Sequence, residues 1–208
     1  MYYDSIYKEN ENFCGIKPTS LFVKIASKLK PEIDVLDLGC GQGRDSFYLA
    51  RKKFNVTAVD NSKVAIAQIK EKANQKKLKN IDAICKNIAK FEIEPNKFSL
   101  ISIIGTLHFL KKSDSLKIIT DVKKKVLPGG FIIITSFTEA NPPSKRRKSH
   151  FKFGELKKLF SEPNFKIHFY LENIYSDKGH VGQSEPHKHG KVGIIAQKLI
   201  RSTKTRTL

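Results

Sequence analysis

The sequence predicts an α/β fold: a mostly parallel seven-stranded sheet with an antiparallel last strand and helices on both faces. Three observations carry that expectation. Short apolar runs alternate with helical stretches through five strand–helix units between residues 33 and 137. The text VLDLGCGQGRDSFYLA (35–50) sets a glycine-rich turn between a buried strand and a helix. FSLISIIG (98–105) and FIIITSF (131–137) are almost wholly apolar, as strands covered on both faces are. A sheet of this kind receives its ligands beyond the carboxyl ends of its strands.

Taken in order, residues 19–29 carry Phe22, Ile25, Ala26 and Leu29 at helical spacing, with Thr19 or Ser20 as N-cap. IDVLDL (33–38) is a strand, Asp45 to Lys53 a helix and NVTAVD (55–60) the next strand. Ser62 to Lys77 is helical by its Ile66, Ile69 and Ala73 stripe, and IDAICKNI (81–88) is extended. Ser113 is expected to cap a helix carrying Leu116, Ile119, Val122 and Val126, which Pro128-Gly129-Gly130 ends. Beyond residue 137 the pattern weakens. A basic loop at 141–149 and a short helix at 153–160 precede strands at 164–172 and 192–200, joined by a loop bearing histidines. Having only a loop between them, those two strands pair antiparallel.

With 208 residues, 39% of them hydrophobic, the chain is long enough for one domain with a core and short for two. No apolar run approaches the roughly 20 residues of a membrane helix, and the N-terminus lacks the apolar stretch of a secretory signal. Cys14, Cys40 and Cys85 are scattered without CxxC spacing, which argues against a disulfide framework or zinc ribbon. A soluble, cytoplasmic protein is the expectation. The formal net charge of +19 attracts nucleic acid, acidic membranes or small anions. The lysines are spread over most predicted helices, so charge alone does not choose the partner.

The glycine turn narrows the chemistry. Gly39, Gly41 and Gly43 sit where the backbone must turn tightly and lie against a ligand. A dinucleotide fingerprint would put its third glycine at position 44, which is Arg44. Asp37, two residues before the first glycine, is poorly placed for a pyrophosphate. It suits a ligand whose aminoacyl end offers an ammonium group to acceptors and a carboxylate to donors, as S-adenosylmethionine does. Asp60 closes the second strand about 20 residues after the glycines, in register to accept hydrogen bonds from ribose hydroxyls.

In motif order, VLDLGCGQGRDSFYLA, TAVDNS, CKNI, LISIIGTLHFL (100–110) and VLPGG closely resemble the class I S-adenosylmethionine-dependent methyltransferases. GCGQGRDSFYLA and FKFGELKKLF (151–160) are similar to the corresponding segments of the tellurite-resistance methyltransferase family. The resemblance implies a Rossmann-like class I methyltransferase fold over 1–208. It has an N-terminal lid and helix at 1–30, a cofactor-binding core at 31–137, and substrate-side loops and last strands at 138–208. It further implies that Asp37, Gly39, Cys40 and Gly41 hold the methionine moiety, with Arg44 near its carboxylate. Asp60 and Asn61 take the ribose, Asn87 and Ile88 flank the adenine, and Gly105 and Thr106 close over the ligand. Ser99 stands where many relatives have Asp.

Other signals concern the acceptor. NPPS (141–144) lacks the aromatic residue that would stack a flipped base and reads as a turn. His180, His187 and His189 share one predicted loop, where no further ligand favours a metal site. The pocket is expected to be roofed by the N-terminal segment near Phe13, the basic loop with Arg146 and Arg147, and the loop with His180. His187, His189 or His108 would be the catalytic base. A small anionic, thiol or chalcogen acceptor is the favoured partner, with RNA and a non-catalytic binding module as alternatives. The expected assembly is a monomer or weak homodimer.

Overall fold

Asp34–Leu38 forms β1, and it lies near the middle of a seven-stranded sheet. The computed structural model describes residues 2–141, 147–178 and 185–200. β2 (Asn55–Asp60) and β3 (Ile81–Cys85) extend the sheet from one side of β1, and β4 (Leu100–Ile104) and β5 (Phe131–Phe137) from the other. All five are parallel. β7 (His187–Lys198) runs antiparallel to both β5 and the edge strand β6 (Phe165–Asp177), which completes the order β3-β2-β1-β4-β5-β7-β6. Strand order therefore reverses between β1 and β4, and the crevice of such a sheet opens there.

Apolar side chains leave both faces of the sheet. Val35, Val56, Ala58, Leu100 and Ile133 pack under α2 (Ser20–Ala26), α3 (Arg44–Arg51) and α4 (Lys63–Gln75). Leu36, Leu38, Ile101, Ile103 and Ile132 pack under α5 (Lys112–Lys125) and the single turn α6 (Glu155–Lys158). This alternation of neighbouring residues between two buried faces explains why the strands read as continuous apolar runs. No helix among the described residues is long and apolar enough to cross a membrane.

Several local expectations are corrected. Helical hydrogen bonding in α5 begins two residues ahead of Ser113, because the Lys111 carbonyl already accepts the Ser115 amide; Ser113 is not a cap. Thr19 does precede α2, but its hydroxyl donates to Asp45 instead of capping the helix. α6 is shorter than 153–160 because Gly154 holds a left-handed φ of 75° just before it. β6 and β7 are longer than the apolar text indicates. They continue past the main sheet as a two-stranded arm, registered through Tyr175↔His189 and Asp177↔His187. Backbone pairing holds that arm, so its polar residues gave no signal. His187 and His189 therefore open a strand and do not lie in a loop. The N-terminal segment forms α1 (Tyr2–Glu9), a helix ahead of the first one expected.

Candidate cofactor and acceptor site

At the reversal between β1 and β4 the chain turns through Gly39, Gly41 and Gly43, at φ values of 77°, 52° and 80°. A side chain on Gly39 would overlap the Thr106 side chain, and one on Gly43 would press on Ile69 at 2.9 Å. Those two glycines let the segment after β4 and helix α4 close on the turn. A Cβ on Gly41 would meet only Tyr7, 3.1 Å from its hydroxyl, so the Gly41 backbone faces the cavity. That cavity has a volume of about 1540 Å³.

The acids beneath the turn are tightly held. Asp37 is buried and accepts from the Ser46 hydroxyl at 2.6 Å and the Ser102 hydroxyl at 2.8 Å. Burial, reinforced by the charge of Asp45, pushes its carboxyl up to about 6. Asp60 accepts the Gly41 amide on one oxygen and the Ser62 amide on the other, both at 2.9 Å. Burial raises its pKa as well. An ionised carboxylate has about four acceptor positions, so both acids keep lone pairs for a ligand. The Asn87 side-chain oxygen caps the short 3₁₀ turn Ile88–Lys90 by accepting the Ala89 amide. Asn61, Asn87, buried Ile88, Gly105 and Thr106 all line the cavity, and Thr106 donates across the reversal to the Gly39 carbonyl at 3.3 Å.

Arg44, at the start of α3, donates to the Cys14 carbonyl, the Thr19 hydroxyl and Asp45. Its buried Nε has no hydrogen-bond partner among the described residues. A buried donor left unpaired is costly, and a ligand carboxylate would satisfy it. Cys40 also lines the cavity, and burial raises its thiol pKa. The open glycine turn, the two acids and this free donor fit the aminoacyl and ribose ends of S-adenosylmethionine.

The N-terminal segment covers the cavity. Asp4 accepts from the Ser62 hydroxyl, and the Tyr7 and Asn10 carbonyls accept from the side chains of Gln68 and Gln42. Gln42 also accepts the Phe13 amide, which brings half-exposed Phe13 to the rim. Neither glutamine nor either tyrosine was singled out from the sequence. The spacing of Tyr3 and Tyr7, one helical turn apart, was the signal available for them.

The histidines separate. His108 lies buried between Phe109 and Phe137, at ring-centroid distances of 4.1 and 4.5 Å. Burial, with the nearby Arg147 and His150, drives its pKa down to about 3, so it is neutral. It is the histidine that lines the cavity among the described residues. His187 and His189 face one another, Nε2 to Nε2, at 2.7 Å, and His189 Nδ1 bonds the Asn141 side-chain oxygen at 2.7 Å. They stand behind Phe137 and Tyr175, whose rings approach His189 at 5.8 and 5.5 Å. Arg147 lays its guanidinium over Phe137 at 4.7 Å. Arg146 and His180 lie outside the described residues. No cluster of three or more potential metal ligands occurs among the described residues.

The family model of "Tellurite resistance protein TehB" matches residues 4–180. A Haemophilus influenzae protein named "Probable S-adenosyl-L-methionine-dependent methyltransferase TehB" is 30% identical over 142 residues, covering 67% of this chain and 49% of its own. The chain thus spans about half the length of that curated relative. The (S)-tetrahydroprotoberberine N-methyltransferase of Eschscholzia californica is 33% identical over 87 residues, covering 41% of this chain and 25% of that protein. Among solved structures, TehB from Haemophilus influenzae superposes with a TM-score of 0.76 at 25% identity, covering 94% of this chain and 66% of that one. The chain belongs to the family of the tellurite resistance protein TehB and has the class I methyltransferase fold.

Proposed function

We propose that this chain transfers the methyl group of S-adenosylmethionine to a small acceptor, anionic or carrying a thiol or chalcogen, in the manner its family name suggests. The observation that carries the reading is the glycine turn at the strand-order reversal, open to the cavity at Gly41 and tied to Asp60. Asp37, Gly39, Cys40, Gly41, Gly43 and Arg44 would hold the aminoacyl end. Asp60 and Asn61 would hold the ribose, with Asn87, Ile88, Gly105 and Thr106 around the base and over the ligand. When bound, the cofactor supplies an electrophilic methyl group already activated by its sulfonium. The protein's part is alignment and exclusion of water, and alignment alone can lower a barrier by roughly 7 kcal/mol in favourable cases.

Residues 1–30 act as lid and first helix, 31–137 as the cofactor core and 138–208 as the acceptor side of one cytoplasmic domain. Phe13 and Arg147 belong to the acceptor rim, with Arg146 and His180 assigned there from the sequence. The His187–His189 pair is the candidate base for an acceptor that arrives protonated; His108, whose proton affinity burial lowers, is set aside as a base. A screen of S-adenosylhomocysteine release, with thiols, selenite and tellurite against bulk RNA, tests the reading. Turnover on RNA alone would move the assignment to a nucleic-acid methyltransferase, the second reading that the net charge of +19 keeps open. Binding of S-adenosylmethionine without turnover on any acceptor would leave a binding module.

A further inference from the structure

Aromatic rings form a continuous wall along the acceptor side of the cavity. Phe13 touches Tyr7 and Tyr3, at centroid separations of 6.3 and 6.4 Å. Tyr3 meets Phe109 edge-on at 5.3 Å, and Phe109 leads through His108 to Phe137. All of these rings line the cavity. The wall begins at the glycine turn, where the Tyr7 hydroxyl stands against Gly41, and ends where β5 does.

Three properties of the wall select a ligand. The first is room. Sites for one drug-sized ligand run to roughly 300–1,000 Å³. The cavity of about 1540 Å³ therefore leaves space beside a nucleoside-sized cofactor for more than a bare oxyanion. The second is polarity. A hydrated oxyanion gives up its water only for strong donors, whereas ring faces and edges suit a planar apolar body and a polarisable sulfur. The third is proton affinity. His108 is held neutral, and burial raises the Tyr7 hydroxyl and the Cys40 thiol, so the wall offers no group that accepts a proton near neutrality. An acceptor seated on this wall therefore does best if it ionises unaided. A phenol, with a pKa near 10 as in tyrosine, does not. A thiol on an aromatic ring does, since the ring delocalises the charge and lowers the pKa below the approximately 8.5 of cysteine. At the rim two cations lie on ring faces, Arg147 on Phe137 and Lys191 on Tyr175 at 4.8 Å. They draw an anion toward the site and disfavour a cationic amine.

We propose that the acceptor is an aromatic thiol taken as its thiolate, with its ring against Tyr3, Phe109 and Phe137 and its sulfur toward the glycine turn. The inference rests on the methyl-transfer reading above. The thiolate sulfur uses a lone pair to form the new S–CH₃ bond. The C–S bond of the sulfonium breaks with its electron pair kept by the departing sulfur. Both charges are neutralised, and the products are a methyl aryl thioether and S-adenosylhomocysteine.

The test has two arms. In the first, calorimetry follows S-adenosylmethionine binding, then the binding of thioanisole to the chain saturated with S-adenosylhomocysteine. In the second, S-adenosylhomocysteine release is compared for thiophenol, 2-mercaptoethanol, selenite and tellurite, with the two thiols at equal thiolate concentration. The expected result is thioanisole binding and a kcat/KM for thiophenol roughly tenfold or more above 2-mercaptoethanol. Tyr3→Ala and Phe109→Leu should each raise KM for thiophenol roughly three- to tenfold, the loss of one aromatic contact. Tyr3→Phe, which keeps the ring, should leave KM as in the parent. Equal kcat/KM for the two thiolates, or turnover of selenite or tellurite without thiophenol, would overturn the aromatic acceptor while leaving methyl transfer intact. Absence of S-adenosylmethionine binding, or of turnover on every acceptor, would overturn the methyl-transfer reading and the inference together.

Discussion

The Asp60 carboxylate accepts the backbone amide of Gly41 at 2.9 Å, joining the end of β2 to the turn after β1. The bond orients the backbone at the cavity, and the lone pairs Asp60 keeps would, in the proposed function, accept the ribose hydroxyls. Asp60→Ala should weaken S-adenosylmethionine binding by about 1–3 kcal/mol, the cost of stranding a buried hydrogen-bonding group. Titration calorimetry checks this, and unchanged affinity would remove Asp60 from the ribose site. NADH binding of comparable strength would reject the cofactor assignment altogether.

The glycines of the turn should fail in different ways. Gly41→Val places a branched side chain at a φ of 52°, against the Tyr7 hydroxyl and the cavity, and should abolish cofactor binding while the fold persists. Gly43→Ala instead drives a methyl group into Ile69 and Phe47, and should cost roughly 1–3 kcal/mol of stability. Far-UV circular dichroism and thermal melts, run beside calorimetry, separate the two outcomes. Global unfolding of the Gly41 variant would make that residue structural first.

Stability should fall as pH rises through the range set by Asp37. Its folded pKa, raised to about 6 by burial, lies above the ordinary carboxylate value of 3.8, so between those values the folded chain binds more protons than the unfolded one. Stability from this group is therefore complete at low pH and is lost as pH climbs toward 6 and beyond. The upward shift of Asp60 has the same sign. Asp37→Asn should flatten that part of the profile in denaturant unfolding from pH 4 to pH 7. Ser102→Ala removes one of the two hydroxyls that hold the ionised form and should move the loss to higher pH. A profile identical to the parent in both variants would show that Asp37 does not titrate in this range.

The acceptor rim should respond to charge and to the paired histidines separately. Arg147→Ala should raise the apparent KM of an anionic acceptor, more at low salt than at high, because the attraction at the rim is screened. Replacing His187 and His189 together by alanine should reduce turnover of an acceptor that arrives protonated, with cofactor affinity nearly intact. A thiol assayed above its own pKa should be insensitive to the double substitution. If the double variant handles the protonated acceptor normally, the pair serves only to hold Asn141 and the base of the β6–β7 arm.

The glycine turn and its acids were legible because their signals are local. Three glycines within five residues, an acid two positions earlier and an acid at the next strand's end lie in one βαβ unit, where topology leaves few places for them. The aromatic wall was harder to read. Tyr3 on α1 meets Phe109 after β4, and His108 links Phe109 to Phe137 at the end of β5, and nothing in their separate contexts marks Tyr3 and Phe137 as parts of one wall. His187 and His189 were recognised as a pair and misplaced as a loop, since two-residue spacing between polar residues suits an exposed strand as well as a turn.

By itself the sequence determined the strand–helix alternation, the glycine turn and the acids below it, because strand and turn preferences act over a few residues and burial on both faces demands apolar text. Tertiary structure decided the rest. Whether a carboxylate is ionised, an imidazole neutral or a tyrosine part of a wall depends on the dielectric and partners around it, and these come from distant segments. Asp37 owes its raised pKa to burial and to the charge of Asp45 on α3, against the Ser46 and Ser102 hydroxyls that hold its ionised form, and His108 owes its neutrality to burial with Arg147 and His150 nearby. Long-range packing sets both properties, and neither is written in the neighbouring residues.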